Sequence, residues 1–112
     1  IRDSTEAIPP AVPEGYVHVY HQYTIRLEGA TGEERDRFVT ALKEEHQVGS
    51  GVYYPIPNHR LPSLAPYAPG LELPNTEKVA AECVSLPVHP SLSQADRERI
   101  VAAVNTCAKA GA

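Results

Sequence analysis

The chain predicts an α+β fold: a two-layer sandwich with about three strands in one sheet and three helices, in the order β-α-β-loop-α-β-α. Three observations carry this reading. Apolar residues alternate with period two from Val17 to Leu27, the signature of a strand with one buried face. Three later segments each carry a single apolar stripe at helical spacing, behind a polar residue able to cap a helix. Two short apolar runs, 51–56 and 85–88, end in proline and fit further strands. With 112 residues the chain makes one domain, and a chain of this length buries roughly 60–70% of the surface it exposes when unfolded.

Residues 1–15 hold Pro9, Pro10, Pro13 and Gly15 and read as an extended interdomain linker, with the folded domain at 16–112. In the first strand Val17, Val19, Tyr23, Ile25 and Leu27 share a face with His21, and His18, Tyr20, Gln22, Thr24 and Arg26 share the other. Gly29 and Gly32 mark a turn. A helix starts at Thr31, where Thr31-Gly32-Glu33-Glu34 has capping-box spacing and two acids suit the positive end of the helix dipole. Phe38, Val39 and Leu42 face inward; Arg35, Lys43 and Glu44 face water. The helix frays near His46, and Gly49 and Gly51 reset the chain for a strand at 51–56. A loop of about fifteen residues follows, from Asn58 to Leu73, a length uncommon without a purpose. Asn75 or Thr76 caps the second helix, with Val79, Ala80, Cys83 and Val84 as its stripe. A strand covers 85–88. Ser93 and Asp96 open the last helix, whose inner face is Ile100, Val101, Val104 and Ala108.

The formal net charge is −4, with acids scattered along the chain. That speaks against a nucleic-acid binder, which carries a basic stripe, and leaves no polybasic patch for a membrane. No apolar run approaches the ~20 residues of a membrane span. Cys83 and Cys107 both sit among apolar neighbours in expected helices. They read as buried free thiols, which fits a cytoplasmic setting.

The candidate chemistry gathers at Gly51-Val52-Tyr53-Tyr54-Pro55-Ile56-Pro57-Asn58-His59, an aromatic strand stopped by prolines that runs into the long loop. Stiff strand ends of this kind are where polar site groups tend to be mounted, so His59 is a site candidate. Tyr53 and Tyr54 are adjacent on a strand, so one packs inward and the other lines a surface or cleft; which is which stays open. His21, on the apolar face, reads as a hydrogen-bonded core histidine. His59 and His89 both follow breaks between strand and proline, but no Cys or carboxylate stands beside them at a metal spacing, which disfavours zinc. There is no Gly-x-Ser-x-Gly elbow and no phosphate-cradling glycine loop. Lys43, Lys78 and Lys109 fall on polar helix faces, where nothing lowers a lysine's pKa for Schiff-base work. The acids of the helices read as solvated faces.

Four ordered motifs resemble the C-terminal region of the DegT/DnrJ/StrS family of pyridoxal-phosphate-dependent sugar-nucleotide aminotransferases. They are His18-Val19-Tyr20-His21-Gln22-Tyr23-Thr24-Ile25-Arg26, then Gly51 to His59, then Asn75-Thr76-Glu77-Lys78-Val79-Ala80, then Ser85-Leu86-Pro87-Val88-His89-Pro90-Ser91-Leu92. The likeness runs from about Pro9 to Val104. It implies a small domain with its linker, while the large cofactor-binding domain, with the Schiff-base lysine and most phosphate ligands, lies outside this chain. No catalytic or cofactor-binding residue is therefore expected here, and the isolated piece is expected to be inactive. The resemblance implies that the small domain closes over a nucleotide sugar, with His59 and Tyr53 or Tyr54 as substrate-binding residues. His59 would hydrogen-bond a sugar hydroxyl or a diphosphate oxygen. The implied partners are a keto-sugar nucleotide, a glutamate or glutamine amino donor, the large domain and, for the intact enzyme, a second copy. A stand-alone binding or regulatory module on the same fold is the alternative.

Overall fold

A two-residue strand, Ala7–Ile8 (β1), runs antiparallel to Tyr23–Leu27 (β2), with Ala7 opposite Leu27 and Ile8 opposite Arg26. The computed structural model describes residues 7–110, with side chains through Ala108. β2 is the middle strand. Its other neighbour is Cys83–Leu86 (β3), also antiparallel, with Ile25 opposite Val84 and Tyr23 opposite Leu86. Three helices complete the α+β fold: α1 (Gly32–His46), α2 (Pro74–Glu82) and α3 (Gln94–Ala110).

The pleat sorts the two faces of the sheet. Ile25, Leu27, Val84 and Leu86 point to one face and join Phe38 and Leu42 of α1 with Val104 and Ala108 of α3 in a single buried cluster. Removing one such side chain from water contributes about 1.5–3 kcal/mol. The opposite face is polar and paired. Thr24 Oγ1 and Ser85 Oγ lie 2.9 Å apart, and Arg26 Nη1 donates to Glu82 Oε2 at 2.7 Å.

The helix ends follow their capping chemistry. Glu34 N donates to Thr31 Oγ1 at 3.2 Å, and Thr31 N donates to Glu34 Oε2 at 2.8 Å, so the expected box at α1 forms. These bonds hold the Glu34 carboxyl below its usual range. At the other end Gln47, not a glycine, takes the left-handed conformation (φ 57°). Val48 N donates to Leu42 O at 2.9 Å, and the Val48 side chain buries itself, the hydrophobic contact that accompanies such caps. Arg99 of α3 reaches across to Gln47 Oε1 at 2.7 Å and His46 O at 3.2 Å, placing a cation at the negative end of α1. Ser93 and Asp96 form the second box, with Asp96 N donating to Ser93 Oγ at 3.1 Å. Cys83 and Cys107 are buried free thiols.

The element order departs from expectation in two places. The strand at 51–56 contracts to a single bridge, in which Gly51 exchanges backbone bonds with Ser85. The third strand comes instead from Ala7–Ile8, inside the stretch expected to be linker; residues 1–6 of that stretch lie outside the described residues. The first strand also begins late. Tyr20 sits in the left-handed region (φ 48°), its N–H donates to His18 Nδ1 at 2.7 Å, and residues 21–22 form a bend. Residues 17–22 therefore stand away from the sheet, with Val17 92% and Val19 88% exposed, and His21 is exposed rather than a core histidine.

Further placements correct the sequence reading. Arg35 is buried, not solvated: its Nη1 donates to Ala80 O and its Nη2 to Asp36 Oδ1 at 2.8 Å, tying α1 to α2. Glu82 is buried too, held by Arg26 and by Gly29 N at 2.9 Å. α2 starts two or three residues earlier than expected, with Leu73 at its cap position and Pro74 in its first turn, and neither Asn75 nor Thr76 caps it. β3 follows α2 directly, at 83–86 rather than 85–88, and Val79 and Val101 are exposed. The Lys109 side chain lies outside the described residues.

Candidate functional site

The segment from Gly51 to Arg60 leaves the sheet edge at β3 and folds back toward α2. Gly51 leaves room there for the Tyr53 ring. A Cβ at that position would come within 2.6–2.7 Å of the Tyr53 ring, which lies over the glycine. Past the bridge, Pro55 and Pro57 offer no amide to a neighbouring strand, so pairing ends. Asn58–Arg60 then closes a 3₁₀ turn, with Arg60 N donating to Pro57 O at 2.9 Å.

Since 53–54 is not strand, the alternation expected of its two tyrosines does not apply. Both are exposed, Tyr53 at 55% and Tyr54 at 76%, with their rings edge to face at 6.3 Å. Both line one groove, of about 680 Å³, whose far wall is α2. That volume suits a small organic ligand. Tyr53, Tyr54, Ile56, Pro57 and His59 make one side; Leu73, Thr76, Val79 and Cys83 make the other. Burial in this wall pushes the Cys83 thiol pKa up, which keeps it an unreactive thiol.

His59 is the buried member of the set, at 8% exposure. Its Nε2 lies 2.8 Å from Glu77 Oε1, and its Nδ1 is buried with no hydrogen-bond partner. Glu77 Oε1 also accepts from Arg60 Nη2 at 3.0 Å and from Leu73 N at 3.2 Å. The hydrogen bond from His59, followed by those from Leu73 N and Arg60, holds the Glu77 carboxyl pKa down at about 2. All three sequence candidates thus converge on one groove, but with His59 at its buried side and both tyrosines at its rim.

Glu77 and Arg60 escaped the sequence reading. Glu77 belongs to a helix and reads as a solvated acid, whereas the fold aims it at the 58–60 turn. One signal was available: an acid in the first turn of a proline-started helix, directly after a long loop. His89 is exposed, and among the described residues no three His, Cys, Asp or Glu side chains come together as a metal group. No helix of the described residues is long and apolar enough to cross a membrane.

Comparison with known proteins shows the family of the chain. The pleiotropic regulatory protein of Geobacillus stearothermophilus is 38% identical over 96 residues, 84% of this chain and 24% of that protein. The UDP-N-acetyl-3-dehydro-α-D-glucosamine 3-aminotransferase of Acidithiobacillus ferrooxidans is 38% identical over 95 residues, 85% of this chain and 24% of that enzyme. Among solved structures, NtdA of Bacillus subtilis with bound cofactor PMP superimposes with a TM-score of 0.79 at 28% identity, covering 96% of this chain and 24% of that one. The chain spans about a quarter of the length of the curated relatives it matches. The model of the DegT/DnrJ/EryC1/StrS aminotransferase family takes in residues 1–105, and the chain belongs to that family.

Proposed function

We propose that this chain forms the small-domain wall of a pyridoxal-phosphate-dependent aminotransferase acting on a keto-sugar nucleotide in deoxyamino sugar biosynthesis, with glutamate or glutamine as the amino donor. The observation that carries the reading is the groove itself: a rigid proline-framed segment presents Tyr53, Tyr54 and a buried His59 to a space of ligand size. Relatives named as sugar aminotransferases, at 38% and 32% identity, support the substrate class.

The described residues do not fit a pyridoxal phosphate site. That cofactor is held through a lysine amine with a charged partner for its ring nitrogen. Lys43 is exposed on α1, and Lys78 is exposed on α2 with its Nζ 4.0 Å from Glu82 Oε1; neither lines the groove. The part assigned to this chain is therefore binding and shaping. The tyrosine faces give an apolar, stackable wall, and His59 gives one polar contact for a sugar hydroxyl or a diphosphate oxygen. The large domain carries the chemistry. The exposed Tyr16, Val17 and Val19, next in sequence to the linker, form the surface proposed to meet it. The intact enzyme is proposed to be a cytoplasmic homodimer, and the small domain alone to be inactive.

The test is a graft. This chain replaces the corresponding quarter of the Acidithiobacillus ferrooxidans relative. The expected result is a hybrid that transaminates a keto-sugar nucleotide, in which His59→Ala raises KM for the sugar nucleotide about 10-fold or more, as loss of a hydrogen bond to a buried polar group does, with cofactor binding unchanged. Collapse of cofactor affinity instead would show that His59 is placed wrongly. A regulatory module is the second reading, favoured by the relative named as a pleiotropic regulatory protein. The net charge of −4 argues against direct contact with nucleic acid in that case.

A further inference from the structure

We propose that Glu77 is the positioning residue of this groove: one carboxylate fixes which nitrogen of His59 carries the proton and clasps both ends of the 58–73 loop. The inference rests on the reading of the groove as a substrate wall and adds how that wall is set. Three donors from two separated segments converge on Glu77 Oε1. His59 Nε2 and Arg60 Nη2 belong to the turn that opens the loop; Leu73 N belongs to the residue that ends it. An ionised carboxylate has no proton to give, so the hydrogen in the His59–Glu77 contact sits on Nε2. In the neutral ring, Nδ1 is then an acceptor. It is buried and unpartnered, a state that costs free energy until a donor meets it. Of the two partners open to His59, a sugar hydroxyl satisfies such a nitrogen, and a diphosphate oxygen does not, because it too can only accept.

The same contacts position the loop. Between its two ends the loop carries a second 3₁₀ turn at Ala65–Tyr67 and exposes Leu64, Tyr67 and Leu71, so little burial holds it. Its neck is fixed by polar contacts at Glu77. Arg60 balances the carboxylate from the loop side, and Lys78 and Glu82, the nearest charged groups on α2, are engaged with each other at 4.0 Å.

The experiment uses the ¹⁵N-labelled chain as it stands, at pH 8. The expected spectrum shows His59 Nε2 with a directly bonded proton and Nδ1 at the shift of an unprotonated nitrogen. Glu77→Gln, which keeps an oxygen acceptor, retains that proton. Glu77→Ala loses the Nε2–H signal to solvent exchange, and amides between 58 and 73 exchange about tenfold faster or more while those of β2 do not change. A proton found on Nδ1 of the native chain overturns the proposal. So does a Glu77→Ala variant whose ring proton and loop amides behave as in the native chain. Should the alanine variant fail to fold, the native spectrum and the glutamine variant still decide. These signals come from the chain's own ring and amides, so they stand or fall whether or not the grafted enzyme transaminates.

Discussion

The core side of the sheet leaves Ile25, Leu42 and Val84 with no exposure, while the groove wall leaves Tyr54 76% exposed and the segment before β2 leaves Val17 and Val19 more exposed still. Both sets are large apolar or aromatic side chains. What separates them is the partner available. Behind β2 and β3 stand α1 and α3, each with an apolar stripe; Val17, Val19 and Tyr54 meet no such stripe and stay exposed. Apolar side chains held in the open by a proline-stiffened backbone do not stabilise this domain. They make sense as a surface for something else to cover. α2 joins the two sides through its acids: Glu82 faces the sheet and is fully buried, and Glu77, five residues earlier, faces the 58–60 turn beside the groove and is half-buried.

That contrast can be broken experimentally. The largest effect is expected from Leu42→Ala, which should cost about 2–5 kcal/mol in denaturant unfolding because it opens a cavity between α1 and the sheet. The matching change on the groove side, Tyr54→Ala, should stay within about 0.5 kcal/mol, as surface substitutions do. Comparable losses at both sites would remove the distinction.

Next comes Glu82→Ala. It strands the Gly29 amide and the Arg26 guanidinium, and should cost about 1–3 kcal/mol. Glu82→Gln should recover part of this by keeping an acceptor for Gly29 N. A neutral Glu82→Ala would mean that the buried carboxylate contributes nothing net.

Acid separates the groove from the core in another way. The folded-state pKa of Glu77, about 2, lies below the ordinary 4.5. Between those values the unfolded chain binds the extra proton and the folded chain does not. The contribution of Glu77 is thus fully present above pH 4.5 and is lost as pH falls toward 2. The Glu77 carboxyl ¹³C resonance should stay flat from pH 6 to 4 and move only near pH 2. Titration near 4.5 would show that the clasp is not formed in solution.

A small effect is also expected at Gly51→Ala. The new methyl meets the far end of the Tyr53 ring, which is exposed and free to swing away. Stability should change by less than about 1 kcal/mol, while the Tyr53 ring resonances shift and its contact with Tyr54 is lost. A large destabilisation would show that Tyr53 is locked over Gly51 rather than resting there.

Much of this was legible in the residues. Thr31 with Glu34, and Ser93 with Asp96, fixed two helix starts, because a capping box needs only atoms three residues apart. The alternation Tyr23 to Leu27 fixed which side chains enter the core. Gly51 to His59 announced the candidate site, since prolines end strand pairing wherever they fall. Pattern misled where burial depends on a distant neighbour. Val17 and Val19 alternate like strand residues, yet the left-handed Tyr20 turns them away from the sheet. Arg35 and Glu82 read as solvated charges, yet Ala80 O and Gly29 N lie ready to bond them inside.

By itself, then, the sequence determined the fold class, two helix caps, the buried thiols and the segment that carries His59, all of which rest on local spacing and side-chain chemistry. Tertiary structure alone decided that Ala7–Ile8 supplies the third strand, that both tyrosines face the groove, and that Glu77 holds His59. These depend on contacts between residues far apart in the chain, and the free energy of a long-range contact is not written in the spacing of either partner.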